Sequence, residues 1–290
     1  LKRNQFIKII SSTITLASLS GLFQFASGLG KQNQKMPILF IGHGSPMNAI
    51  ENNKFSSTWQ ELGKSLPVPN AILCISAHWL TKGTFVTAME HPKTIHDFYG
   101  FPKELFEVNY PAPGDPVLAQ NITEAISNHL LKPDHEWGLD HGCWSVVKQL
   151  YPEAKIPVLQ LSLDYNQSGA WHLELGSQLS TLRERGVLII GSGNMVHNLK
   201  EMSWDTPNSG FDWAEESNSL FKKLIEQEDF QALATYKSLG KAVQLAVPTP
   251  DHYFPMLYIL GLKEKQETLR FFNDETQFGS ISMTSFIIHQ

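Results

Sequence analysis

Four histidines in this 290-residue chain stand in similar settings. His43 lies in Gly42-His43-Gly44-Ser45-Pro46 and His78 in Ser76-Ala77-His78-Trp79. His197 lies in Gly191-Ser192-Gly193-Asn194-Met195-Val196-His197-Asn198, and His252 in Pro248-Thr249-Pro250-Asp251-His252. A neutral imidazole offers a ring-nitrogen lone pair to a divalent cation and exchanges a proton near neutral pH. Histidines converging on one point would therefore build a metal centre, an acid/base site, or both. Taken singly, a histidine after a strand is more often a hydrogen-bonded loop residue. Four in matched positions favour a shared site. The two cysteines, Cys74 and Cys143, have apolar or aromatic neighbours and read as buried thiols. With no CxxC spacing, a cysteine-built zinc or iron–sulfur centre is not expected.

Three of these motifs follow continuous apolar runs that read as buried strands. Ile38-Leu39-Phe40-Ile41 leads to His43, Ala71-Ile72-Leu73-Cys74-Ile75-Ser76-Ala77 to His78, and Val187-Leu188-Ile189-Ile190 towards His197. A fourth run spans Pro157 to Leu163. Strands apolar along their whole length belong to a sheet covered on both faces. Helical spacing over Asp115 to Leu130, Ala170 to Glu184 and Phe211 to Glu226 supplies the covering layers. Strand-like runs return at Leu269 to Phe272 and Ile281 to Ile288. The pattern predicts an α/β fold, a three-layer α/β/α sandwich forming a single catalytic domain over 31–290. In such sheets ligands bind beyond the carboxyl ends of the strands, where the histidines fall.

Residues 1–30 differ in character. Lys2, Arg3 and Lys8 precede an apolar run from Ile9 to about Ala26, and Ala26-Ser27-Gly28 supplies small residues for cleavage. This is the layout of a signal peptide, so export to a periplasmic location is expected. Arg3-Asn4-Gln5-Phe6-Ile7-Lys8 resembles a twin-arginine signal with Asn4 in place of the second arginine. The alternative is an ordinary amphipathic helix on a cytoplasmic protein. Serines and threonines interrupt the apolar run, which makes it a poor stable membrane span. A net charge of −5 gives no reason to expect a nucleic-acid partner.

The motifs at His43 and His78, with Thr94-Ile95-His96-Asp97-Phe98-Tyr99-Gly100-Phe101-Pro102, Tyr110-Pro111-Ala112-Pro113-Gly114, Asp140-His141-Gly142 and Pro248-Thr249-Pro250-Asp251-His252, resemble the 4,5-DOPA dioxygenase extradiol family. That family belongs to the class III extradiol ring-cleavage dioxygenases, with protocatechuate 4,5-dioxygenase. The resemblance covers about Met36 to the C-terminus. It implies a mixed, mainly parallel central sheet, a mononuclear non-haem metal, and cleavage of a small catechol-like ring with O2. It places His43 and His78 as metal ligands. His197 falls where the family has a histidine acting as ligand or acid/base, and His252 where the protocatechuate branch has a glutamate ligand. The expected cofactor is Fe2+, and Zn2+ suits the same histidines.

The loops divide the remaining roles. Pro248, Pro250 and Pro255 stiffen the segment around His252, which suits a third ligand. Gly191 and Gly193 leave the backbone before His197 permissive, which suits a catalytic acid/base. His141 is a second catalytic candidate, against its reading as a helix-start residue. Ser45, His96 (with Asp97 as a pocket pair) and Tyr99 are the expected substrate contacts, and Trp79, Phe101 and Trp144 could complete a flat slot. Three readings compete with the dioxygenase. One is a zinc hydrolase using Asp140 or Asp251 as base, and another an exported metal- or phenolic-binding protein without turnover. The weakest is a serine hydrolase, because Gly191-Ser192-Gly193 is only a fragment of a nucleophile elbow.

Overall fold

β1 (Ile38–Gly42), β2 (Ala71–Thr81), β5 (Val158–Asp164) and β6 (Val187–Gly193) are the four expected apolar runs, and their side chains are mostly buried. They lie side by side as β5-β2-β6-β1, all parallel. Two short strands the sequence did not announce, β3 (Thr84–Thr87) and β4 (Leu131–Asp134), extend the sheet past β5, with β3 antiparallel to β5. On the other flank β7 (Thr268–Phe272) and β10 (Ser285–His289) add antiparallel strands, closing an eight-stranded mixed sheet of order β4-β3-β5-β2-β6-β1-β10-β7. A separate ribbon pairs β8 (Thr276–Gln277) with β9 (Ile281–Ser282). The structure is a computed structural model and describes residues 35–126 and 131–290. The signal-like segment 1–30, His129 and the end of the helix expected from Asp115 to Leu130 lie outside the described residues.

Helices cover both faces because the strands alternate. Leu39, Ile41, Ile72 and Cys74 point to one side, where they meet α1 (Lys54–Ser65) and α3 (His141–Leu150) through Phe55, Trp59, Cys143, Trp144 and Val147. Ile38, Phe40, Leu73 and Ile75 point to the other side. That face is covered by α2 (Pro116–Ala125), α4 (Gly169–Gln178), α5 (Asp212–Glu226) and α6 (Phe254–Gly261), through residues such as Ile122, Leu175, Phe221 and Leu257. Each such side chain, fully buried, contributes roughly 1.5–3 kcal/mol of transfer free energy. Cys74 and Cys143 are free and buried, as expected.

Two expected elements are interrupted. The helical run from Ala170 to Glu184 ends at Gln178 and resumes as the short turn Ser180–Arg183. The Leu179 amide bonds the Gly176 carbonyl three residues back, a tighter turn that redirects the chain. The strand-like run from Ile281 to Ile288 breaks at Met283 and Thr284. Its first part pairs with β8 and its second with β1, so one apolar run serves two sheets.

Candidate metal centre

Parallel strands deliver the histidines to one edge. His43 follows β1 directly, and its N–H bonds the Gly193 carbonyl at the end of β6 at 3.0 Å. His78 sits on a bulge. β2 pairs Ile75 with Leu161 and then Leu80 with Leu163, so Ser76 to Trp79 bow out against a single residue of β5. A bulge of this kind re-aims the side chains it carries. Gly142 lies behind it, and a Cβ there would come within 2.7 Å of His78 Cδ2 and 2.6 Å of Ser76 Oγ. His141 opens α3, whose N-cap Asp140 accepts from the Cys143 amide at 3.1 Å. His252 precedes α6, and its carbonyl accepts from the Asn194 amide at 2.9 Å. A Cβ on Gly193 would stand 2.1 Å from that carbonyl, so the approach of the two loops requires glycine. His197 is fixed through its amide, which donates to the Ala246 carbonyl at 2.9 Å.

The imidazoles converge. The ring of His43 lies 5.1 Å from that of His78, 5.8 Å from His141 and 5.2 Å from His252, between centroids. His78 and His141 are 3.8 Å apart, and His197 stacks on His252 at 3.5 Å with planes 7° apart. His43 Nε2 and His78 Nε2 face each other at 3.1 Å. The tautomer of His43 follows from its neighbours. Ser192 Oγ donates to the Gly142 carbonyl at 2.5 Å, so towards His43 Nδ1, 3.0 Å away, it can only accept. His43 therefore carries its proton on Nδ1 and points a lone pair at His78. Two nitrogens on one tetrahedral zinc, with bonds of about 2.05 Å, lie about 3.3 Å apart. The pair thus fits a shared divalent cation. His252 is oriented in the same manner, its Nδ1 donating to Asp251 Oδ2 at 2.6 Å, which leaves Nε2 free.

Two sets of potential ligand atoms lie within mutual reach of 4.8 Å: His43, His78 and His141, and His197, Asp251 and His252. The expectation from sequence grouped His252 with the first pair. The structure groups His141 with that pair and groups His252 with His197 and its carboxylate partner Asp251, while the His252 ring stays 5.2 Å from His43 and 4.9 Å from His78 between centroids. Burial, reinforced by the neighbouring histidines, pushes His43 and His78 well below the usual imidazole range, so both are neutral and able to ligate at neutral pH. His197 is lowered for the same reasons, burial first and His252 next. Burial pulls the Asp251 carboxyl up, but its bond to His252 outweighs this and leaves it ionised.

Other expected residues have different placements. Ser45 Oγ accepts from the Met47 amide at 3.2 Å and caps a short 3-10 turn. His96 Nε2 donates to the Val108 carbonyl at 3.0 Å, and its ring packs among Phe98, Phe106 and Trp144. Tyr99 is 92% exposed. Trp79 stacks on Trp137, and Trp144 is buried with its Nε1 bonded to the Ile95 carbonyl. Asp140 has both oxygens engaged, by Ser76 Oγ at 2.6 Å and Gln160 Nε2 at 2.7 Å, and is not free to act as a hydrolytic base. Ser192, committed to Gly142 and His43, is no free nucleophile. Asp97, expected to form a pocket pair with His96, instead reaches His141 and His78. Its place between two marked histidine motifs was a signal, but nothing local says which imidazole a loop carboxylate meets.

Residues 37–285 match the family of the catalytic LigB subunit of aromatic ring-opening dioxygenase. The chain is 45% identical to the 4,5-DOPA dioxygenase extradiol of Escherichia coli K12 over 255 residues, 87% of this chain and 94% of that one. It is 34% identical to the protein of the same name from Beta vulgaris, over 89% of this chain and 98% of the other. A crystal structure of an uncharacterized Escherichia coli K12 protein superposes with a TM-score of 0.75 at 40% identity, covering 87% of this chain and 99% of that one.

Proposed function

Because the chain belongs to the LigB family of aromatic ring-opening dioxygenases, we propose that it opens a catechol-type ring with O2 at the strand-end histidine cluster, using one non-haem ferrous ion held by His43, His78 and His252. The observation that carries this reading is the 3.1 Å approach of His43 Nε2 and His78 Nε2, with the lone pair of His43 fixed towards its neighbour by Ser192. His252 joins them because Asp251 holds its Nδ1 and the proline-flanked loop holds its backbone. Ferrous iron, when bound, supplies open positions for substrate and O2 together with redox exchange between them, which zinc on the same donors does not.

The protein's own groups handle the protons. His197 is neutral at pH 7, and among the described residues its ring nitrogens make no hydrogen bond, so it can take a catechol proton and return it when the O–O bond breaks. His141, across the cluster, is the second proton-transfer group. The name shared by the relatives from Escherichia coli and Beta vulgaris makes DOPA the first catechol to try. The test is anaerobic loading with Fe2+ followed by O2 uptake and the appearance of a yellow ring-opened product. The zinc form should be silent. Ester or amide turnover by the zinc form without O2 uptake by the iron form would overturn the reading. His197→Gln should keep metal and lose about 10²–10⁴-fold in turnover, whereas His252→Ala should lose metal. A metal-free His197→Gln and a metal-loaded His252→Ala would reverse the two roles.

A further inference from the structure

We propose that Asp97 is a positioning residue that sets the tautomer of both His78 and His141, so that one carboxylate aims a metal ligand and a proton-transfer group at the same cleft. The inference rests on the functional reading above for what the two histidines do, but its geometry stands alone. Asp97 Oδ1 accepts from the His141 amide at 2.9 Å. Asp97 Oδ2 lies 3.0 Å from His141 Nδ1 and 3.5 Å from His78 Nδ1. The first approach is off-line, and the second is long for a hydrogen bond. Asp97 is nevertheless the one carboxylate beside both nitrogens among the described residues. A carboxylate only accepts, so each imidazole facing it presents Nδ1–H. That leaves His141 Nε2 and His78 Nε2 as lone pairs directed inwards, and for His78 towards His43 Nε2.

The loop carrying Asp97 has no regular structure around it but is strapped on both sides. The Ile95 amide bonds the Leu139 carbonyl at 2.7 Å, and the Ile95 carbonyl takes the Trp144 indole N–H at 2.8 Å. His96 holds Val108, and Phe98 lies between Phe101 and the edge of His141. The expected substrate contact His96 is thus one of the ties that fix Asp97. The side chain of Asp97 is 19% exposed, shielded enough for its charge to act on its neighbours.

Asparagine is the discriminating substitution because it keeps the shape. Asp97 must accept from the His141 amide with one oxygen and face two Nδ1–H groups with the other. An amide has one oxygen, so Asp97→Asn opposes a donor to a donor in either orientation. In zinc-loaded protein with 15N-labelled histidine, long-range 15N–1H spectra report the tautomer of each ring. His78 and His141 should be Nδ1–H in the wild type, and at least one should change in Asp97→Asn. Zinc affinity, measured by chelator competition, should fall about 10–100-fold. Asp97→Glu, which keeps two acceptors, should recover much of that loss. Unchanged tautomers with zinc affinity within twofold in Asp97→Asn would overturn the proposal, as would an Asp97→Glu protein no better than Asp97→Asn. A wild-type protein that shows these tautomers but opens no ring would refute the proposed function and leave the role of Asp97 standing. One that binds no zinc would refute both.

Discussion

Two buried polar clusters occupy opposite ends of the same sheet. Before β1 and β6, Arg183 is enclosed completely, yet each of its three nitrogens has an acceptor: the Met36 carbonyl at 2.9 Å, the Leu262 carbonyl at 3.2 Å and both oxygens of Glu267. Glu267 in turn takes the Glu264 amide at 2.9 Å. Beyond the carboxyl ends of the strands, five imidazoles are packed together, with His43 Nε2 facing His78 Nε2 and, among the described residues, no hydrogen bond to a ring nitrogen of His197. The first cluster satisfies itself and ties chain segments together. The second leaves ring nitrogens uncommitted, which the proposed function assigns to a metal and its substrate. Burial alone does not separate a structural polar group from a functional one; what separates them is whether its hydrogen bonds are complete.

The sharpest way to break this contrast is to cut each cluster and read the wrong property. His43→Ala and His78→Ala should abolish metal retention after dialysis, with apo stability lowered less than by cutting the ion pair. Full metal occupancy in either variant removes that residue from the coordination set. Glu267→Ala should do the reverse, costing about 3–5 kcal/mol in urea unfolding by stranding a buried guanidinium, while zinc affinity of the folded protein stays unchanged. The double variant Arg183→Met with Glu267→Leu should recover most of that stability. A metal defect in Glu267→Ala would show that the two ends are coupled after all.

His172 gives the smallest and most graded test, because it lies between the extremes. It is fully enclosed, with Nδ1 3.1 Å from the Tyr258 hydroxyl, and has no role in the cluster. Burial, against the opposing pull of Asp164, lowers it from 6.5 to about 4. A depressed histidine pKa means that the unfolded chain binds its proton first. Stability is therefore complete above the ordinary value of 6.5 and falls as pH drops towards about 4. The total is at most roughly 3 kcal/mol. His172→Gln should flatten that part of the acid limb, read as unfolding free energy at pH 7.5, 5.5 and 4. An identical slope in both proteins would mean that His172 titrates alike folded and unfolded.

Much of this was legible in the sequence wherever one segment carried the whole signal. Val187 to Ile190 is apolar throughout because β6 is covered on both sides, and the histidine motifs mark strand ends because side chains there emerge from the core. What stayed hidden was relational. Thr84–Thr87 and Leu131–Asp134 become strands through pairing with each other and, for the first, with β5, and four residues carry too little periodicity to announce it. The Ile281 to Ile288 run gives no sign that half of it belongs to another sheet. Asp97 follows His96 in the chain, yet its partners are His78 and His141, which only the folded loop brings near. Gly142 reads as a neighbour of His141, while its effect is to admit the bulge at His78.

The position of β1 in the sheet has a bearing on when the proposed metal could be acquired. β1 is the first strand of the described chain, and its neighbours β6 and β10 come from its middle and far end. His43 therefore waits at the edge of an unfinished ladder until distant segments arrive, and His252 arrives later than β6. No local stretch of chain can pre-form a chelate, so ion capture belongs to the closing steps of folding, among its slowest pairings. A chain stalled before those pairings would present scattered, unselective imidazoles. Once the sheet closes, the same imidazoles stand together in the two sets described above.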